Sequence, residues 1–135
     1  MEHEERDAAE RPLLVVDGAN VVGSVPDGWW RDRRGAAERL RDALVAVAEH
    51  GLADLPGPLD VVLVVEGAAR GVAGLPEVRV VEASGSGDDR IVQLVDAARA
   101  EHPDRSCLVA TADRELRARV TALGAAVTGP RSVRP

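Results

Sequence analysis

Apolar positions along this chain fall into two patterns. Short continuous runs, Pro12 to Val16 (PLLVV), Val61 to Val65 (VVLVV) and Cys107 to Ala110 (CLVA), read as strands buried on both faces. Val78 to Val81 and Ala125 to Thr128 read as two shorter strands. Between them the spacing changes to that of helices. Residues 36–50 place Ala37, Leu40, Leu44 and Val47 on one face and stop at Gly51. Residues 87–100 do the same through Ile91, Val95 and Ala98, and Leu116, Val120 and Leu123 mark a last helix ended by Gly124. Alternating strands and helices with continuous apolar strands predict one three-layer α/β/α domain of Rossmann type around a mainly parallel sheet. The link over 67–76 is short for a crossover helix. Residues 1–10 (MEHEERDAAE) predict a disordered acidic tail, and residues 11–135 the domain.

In a parallel sheet every strand ends on one edge, every following helix starts there, and ligands bind where the strand order reverses. Asp17 ends the first strand, Asp88 and Asp89 open the helix after the third, and Asp113 follows the fourth. With strand order 3-2-1-4-5, strands one and four are neighbours and these stations converge. Each aspartate also has a plain structural explanation. Asp113 can cap its helix, Ser86 and Asp89 fit a capping box, and Asp17 can close an Asx turn with Gly18 and Ala19. Taken together, four carboxylates on the functional edge, with Arg90 and Arg114 the nearest bases in sequence, raise one another's pKa and call for a divalent cation. All-oxygen donors suit Mg²⁺ or Mn²⁺, whereas zinc favours His or Cys. His3, His50 and His102 lie in the tail or at far helix ends, and Cys107 is mid-strand. A hard cation of this kind can activate water against a phosphodiester.

Composition narrows the chemistry further. All 17 basic residues are Arg, so a Walker-type phosphate loop and a Schiff-base lysine are both excluded. A single Cys rules out an internal disulfide, and no apolar run approaches signal-peptide or membrane-spanning character, so the chain is expected to be cytoplasmic with no membrane partner. The net charge is −6, but residues 1–10 hold five acids and one Arg, leaving 18 acids and 16 Arg elsewhere. With the four site aspartates set aside, the body is mildly basic, which is compatible with RNA contact.

The segments LLVVDGANVV, SGSGDDRIVQLV and CLVATADRELRARV, in that order, resemble the NYN domain, notably its YacP-like branch, within the PIN-like nuclease superfamily. The likeness runs from about residue 12 to about residue 130. It implies divalent-cation-dependent RNA cleavage, typically endonucleolytic, with Asp17, Asp88, Asp89 and Asp113 as the metal-binding acids. It further implies that Asn20 orients a water or substrate phosphate and that Thr111 supports the site. Glu66, which follows the second strand, is assigned at best a peripheral place. RNA, single-stranded or structured, is the implied partner, and a homodimer or a ribonuclease- or ribosome-associated partner is compatible with so small a chain.

The resemblance leaves Trp29, Trp30, Arg31, Arg33 and Arg34 unassigned. Indoles beside arginines form a common single-strand binding arrangement, and with Arg114 these are candidate substrate-binding residues. In a chain without Phe or Tyr, one of the two tryptophans is expected to fill the core and the other to remain available. Competing readings fit less well. A response-regulator receiver needs a lysine, and Gly85-Ser86-Gly87 lacks the third glycine of a dinucleotide fingerprint. A haloacid-type phosphatase wants a second Asp where Ala19 stands. The remaining alternative is an NYN-type protein that binds RNA or nucleotide with weak or no turnover.

Overall fold

The structure, a computed structural model, describes residues 11–134; the expected tail lies outside the described residues. β1 (Leu13–Asp17) is buried along its whole length and forms the centre of a five-stranded sheet. On one side it pairs with β4 (Asp60–Val65), which pairs in turn with β5 (Val78–Glu82). On the other it pairs with β6 (Cys107–Ala110), followed by β7 (Ala126–Thr128). All four pairings are parallel. The order β5-β4-β1-β6-β7 is the expected 3-2-1-4-5 once only the strands of this sheet are counted. The hydrophobic pattern does not reveal β2 (Gly51–Leu52) and β3 (Leu55–Pro56), two-residue strands that form a separate antiparallel hairpin.

Strand residues alternate between two cores. Leu14, Val16, Val61 and Leu63 pack beneath α1 (Gly18–Gly23) and α2 (Arg33–His50), where Leu40 and Leu44 are fully buried. Leu13, Val15, Val62 and Val64 pack beneath α3 (Gly87–Glu101) and α4 (Arg114–Ala122), against Ile91, Val95, Leu116 and Val120. Continuous apolar strands are thus covered on both faces, as a parallel sheet requires.

Two connections differ from expectation. Asp17 opens a six-residue helix rather than an isolated Asx turn, and a single 3₁₀ turn (Trp29–Arg31) leads from there to α2. The link from β4 to β5 contains only a 3₁₀ turn, Gly67–Ala69, before running on without a helix. α2 holds this segment in place. The Arg34 guanidinium donates to the Gly71 carbonyl at 3.1 Å, Arg41 donates to that of Ala73 at 2.8 Å, and Val72 enters the first core. Backbone acceptors that a crossover helix would have satisfied internally are met by arginine side chains instead.

Candidate active site

The β1–α1 junction depends on a close approach of backbones. A Cβ on Gly18 would stand 2.5 Å from the Val64 carbonyl oxygen, so only glycine lets α1 start directly against β4. Asp17 is thereby fixed at the carboxyl end of the central strand, with 5% of its surface exposed. One carboxyl oxygen accepts the Asn20 amide at 3.4 Å as the N-cap of α1, and the other accepts the Thr111 hydroxyl at 2.8 Å. Thr111 is fully buried at the end of the neighbouring β6, and its hydroxyl also accepts the Asp113 amide at 3.1 Å. Asn20 completes the brace: its side-chain oxygen accepts the Ala112 amide at 2.9 Å. Chain segments more than 90 residues apart are therefore joined by two polar contacts around one carboxylate.

Asp113 caps α4, accepting the Leu116 amide at 2.9 Å. Ser86 caps α3 through the Asp88 amide at 3.1 Å. The reciprocal half of a capping box does not form, because Asp89 pairs with Arg119 of α4 at 3.1 Å. Glu66, the residue after β4, accepts the Gly87 amide at 3.0 Å, and a Cβ on Gly87 would lie 3.1 Å from its other oxygen. Gly87 thus lets α3 begin against Glu66, which ties the end of β4 to the start of the helix carrying Asp88.

The electrostatics follow from this crowding. Burial, with smaller contributions from Asp88 and Glu66, pushes the Asp17 carboxyl up to about 6, against the hydrogen bonds from Thr111 and Asn20 that oppose the shift. Asp88 is also raised, first by burial, then by the charges of Asp113 and Glu66, while Arg119 pulls it down. Asp17, Glu66, Asp88 and Asp113 therefore form one interacting group. Asp89 stands at its margin, paired with Arg119, so three of the four expected aspartates interact with one another and with Glu66. The donor chemistry, oxygen only and mutually repelling, suits a hard cation. Among the described residues, however, no three acidic, His or Cys side chains are grouped tightly enough to hold an ion as they stand.

The arginine and tryptophan residues divide. Trp29 is half-buried against the first core, and Trp30 is 53% exposed, with the rings edge to face at 6.0 Å. Arg31 lies over Trp30 at 5.7 Å and Arg33 over Trp29 at 5.3 Å. Arg34 donates to the Gly71 carbonyl and pairs with Glu38 at 3.8 Å, with its side chain still largely exposed. Arg114 is exposed at the first turn of α4. Arg119, absent from the sequence reading, pairs with Asp89 and lowers the Asp88 carboxyl. Its position was implicit, because burial of Leu116 and Val120 turns the flank carrying residue 119 toward α3.

Among the described residues no helix is long and apolar enough to cross a membrane. No protein-family model and no curated protein sequence matches the chain. Similar solved structures include two of one protein. One is Rae1 (YacP) from Bacillus subtilis, with a TM-score of 0.70 and 21% identity over 90% of this chain and 70% of that one. The other is a point mutant of the same protein, with a TM-score of 0.68 and 20% identity over 90% and 72%. The chain has the fold of YacP.

Proposed function

We propose that this chain is a divalent-metal-dependent nuclease that hydrolyses RNA phosphodiester bonds, as an endoribonuclease. The observation that carries the proposal is the convergence of Asp17, Glu66, Asp88 and Asp113 at the carboxyl edge of the central strands, with Asp17 buried and raised to about 6. Mutually repelling carboxylates at the ligand-binding edge of a parallel sheet are an arrangement that a counter-cation resolves. The shared fold with YacP agrees with it.

Asp17, Asp88 and Asp113 are the residues that would hold Mg²⁺ or Mn²⁺, with Glu66 adding negative charge beside them. When bound, such an ion would supply an activated water and polarise the phosphodiester. The chain's own residues do the positioning. Thr111 fixes the rotamer of Asp17 through its hydroxyl and ties it to the first turn of α4. Asn20 clamps the loop before Asp113. Arg119 limits the net negative charge that an incoming phosphate meets. Trp30, Arg31 and Arg114 are exposed and can contact a single strand by stacking and phosphate pairing.

A second reading, RNA or nucleotide binding with weak or no turnover, is favoured by the absence of a ready-made three-ligand cluster among the described residues. One assay separates the two. Mixed RNAs are incubated with Mg²⁺ or Mn²⁺ and with wild-type or Asp17→Asn protein. Cleavage by the wild type alone, abolished by EDTA, supports the nuclease. RNA binding without cleavage in either metal selects the second reading.

A further inference from the structure

Beside the acids, between α1, α2 and the end of β4, lies a cavity of about 340 Å³. Its volume is at the lower end of the range of small-ligand sites, roughly 300–1,000 Å³. It has three kinds of wall. Val22, Val65 and Ala69 make it apolar, and Trp29 and Arg33, whose guanidinium lies 5.3 Å from the indole centroid, line it with two planar groups. Glu66 is the acidic member of the lining. Gly18 and Ala19 also border it, so the lining begins one residue in sequence from Asp17.

From this geometry we infer that the cavity is a nucleobase subsite selecting guanine. The inference rests on the nuclease reading for its place in catalysis but not for its chemistry. A planar heterocycle can stack on an indole or on a guanidinium plane, and both line this cavity beside its aliphatic walls. Glu66 uses one oxygen on the Gly87 amide at 3.0 Å and so keeps acceptor capacity for a ligand. Guanine presents two adjacent N–H donors, N1–H and the 2-amino group, to such a carboxylate, and its O6 can accept from Arg33. Uracil presents one N–H flanked by two carbonyl oxygens, which a carboxylate repels. Adenine and cytosine offer a single amino donor and rank between. A guanine seated here would leave its own ribose-phosphate at the mouth of a cavity whose lining adjoins Asp17 in sequence.

The test uses the full chain carrying Trp30→Leu, so that Trp29 is the sole fluorophore, in EDTA so that no cleavage intervenes. Guanosine and uridine 5′-monophosphates are titrated separately, followed by oligouridylate with and without one internal guanine. The expected result is saturable quenching by the guanosine nucleotide, with affinity at least roughly tenfold tighter than the uridine nucleotide. Ala69→Leu, which fills the cavity, should abolish quenching, and Glu66→Gln, should the leucine variant fail to fold, should erase the preference for guanine. Tighter binding of the guanine-containing oligomer assigns the subsite to an RNA strand. Preference confined to the mononucleotide assigns it to a free nucleotide. Equal affinity for guanosine and uridine nucleotides, or undiminished quenching in Ala69→Leu, overturns the inference. Wild-type RNA cleavage alongside that negative result would leave the nuclease standing, and guanine binding without cleavage would do the reverse.

Discussion

Replacing Asp17 with Asn should make the metal-free protein more stable while removing its activity. Burial and neighbouring acids hold the Asp17 carboxyl at about 6 rather than 3.8. A group whose acidity is weakened by folding binds its proton more tightly in the native state. Stability from this group is therefore greatest below about pH 4 and is lost as pH rises toward 6. At neutral pH the burden on the folded chain is about 3 kcal/mol. Asparagine removes it but cannot accept from both the Asn20 amide and the Thr111 hydroxyl as two carboxyl oxygens do, forfeiting about 1–2 kcal/mol. The net expectation at pH 7.5 in EDTA is a gain of about 1–2 kcal/mol, or roughly 3–8 °C in melting temperature. At pH 4.5 the advantage should shrink or reverse, since wild-type Asp17 is then largely protonated. Thermal melts of both proteins from pH 4.5 to 8, with RNA cleavage assayed in parallel, measure each part. A variant that melts below wild type at pH 7.5 and shows the same pH slope would refute the electrostatic account. Undiminished cleavage would remove Asp17 from the chemistry.

Mg²⁺ or Mn²⁺ at millimolar concentration should raise the wild-type melting temperature by binding the native acids, and should do so less in Asp17→Asn; calorimetry showing no shift in wild type would count against the ion site. Thr111→Val should weaken cleavage and lower stability by about 1–3 kcal/mol, because the Asp17 carboxyl and the Asp113 amide lose a shared partner. In the same variant a nuclear magnetic resonance titration should find the Asp17 carboxyl raised further, since the lost hydrogen bond had been lowering it. Arg105→Ala, at the opposite edge of the sheet, should destabilise without entering the chemistry. It breaks the 2.7 Å pair with the largely buried Asp60, which keeps Arg79 at 2.9 Å, so a loss of about 2–3 kcal/mol in denaturant melts with cleavage retained at low temperature is expected.

The central architecture was legible because its strands carry no ambiguity of period. LLVV and VVLVV are buried on both faces, and their adjacency across β1 and β4 follows from one assumption about strand order. The short elements were not. β2 and β3 contribute two residues each, too few for any periodicity, and α1 shows only Val21 and Val22 as buried side chains. The aspartates were legible by position, since each follows a strand or opens a helix. Side-chain commitments were not, because they depend on packing between distant segments. Arg34 donates to the Gly71 carbonyl, Asp89 meets Arg119 across two helices, and Glu66 joins the acids because Gly87 admits it.

Helix capping and the candidate site share one geometry. Asp17 accepts from the first turn of α1, Glu66 from the amide of Gly87 at the start of α3, and Asp113 from the first turn of α4. In each case a carboxylate faces amide donors at the positive end of a helix, a placement that stabilises negative charge by about 0.3–1 kcal/mol per helix even when exposed. Those amides partly offset the repulsion that raises Asp17 and Asp88, and so let the chain fold before any cation arrives. They also hold the acids at the starts of three separate helices, whose axes are set by the two cores. A plain structural reading of each aspartate is therefore correct as far as it goes. What it leaves unexplained is why the caps converge on one edge, with Asp17 buried and Arg119 engaged by Asp89, and that convergence is what the nuclease reading accounts for.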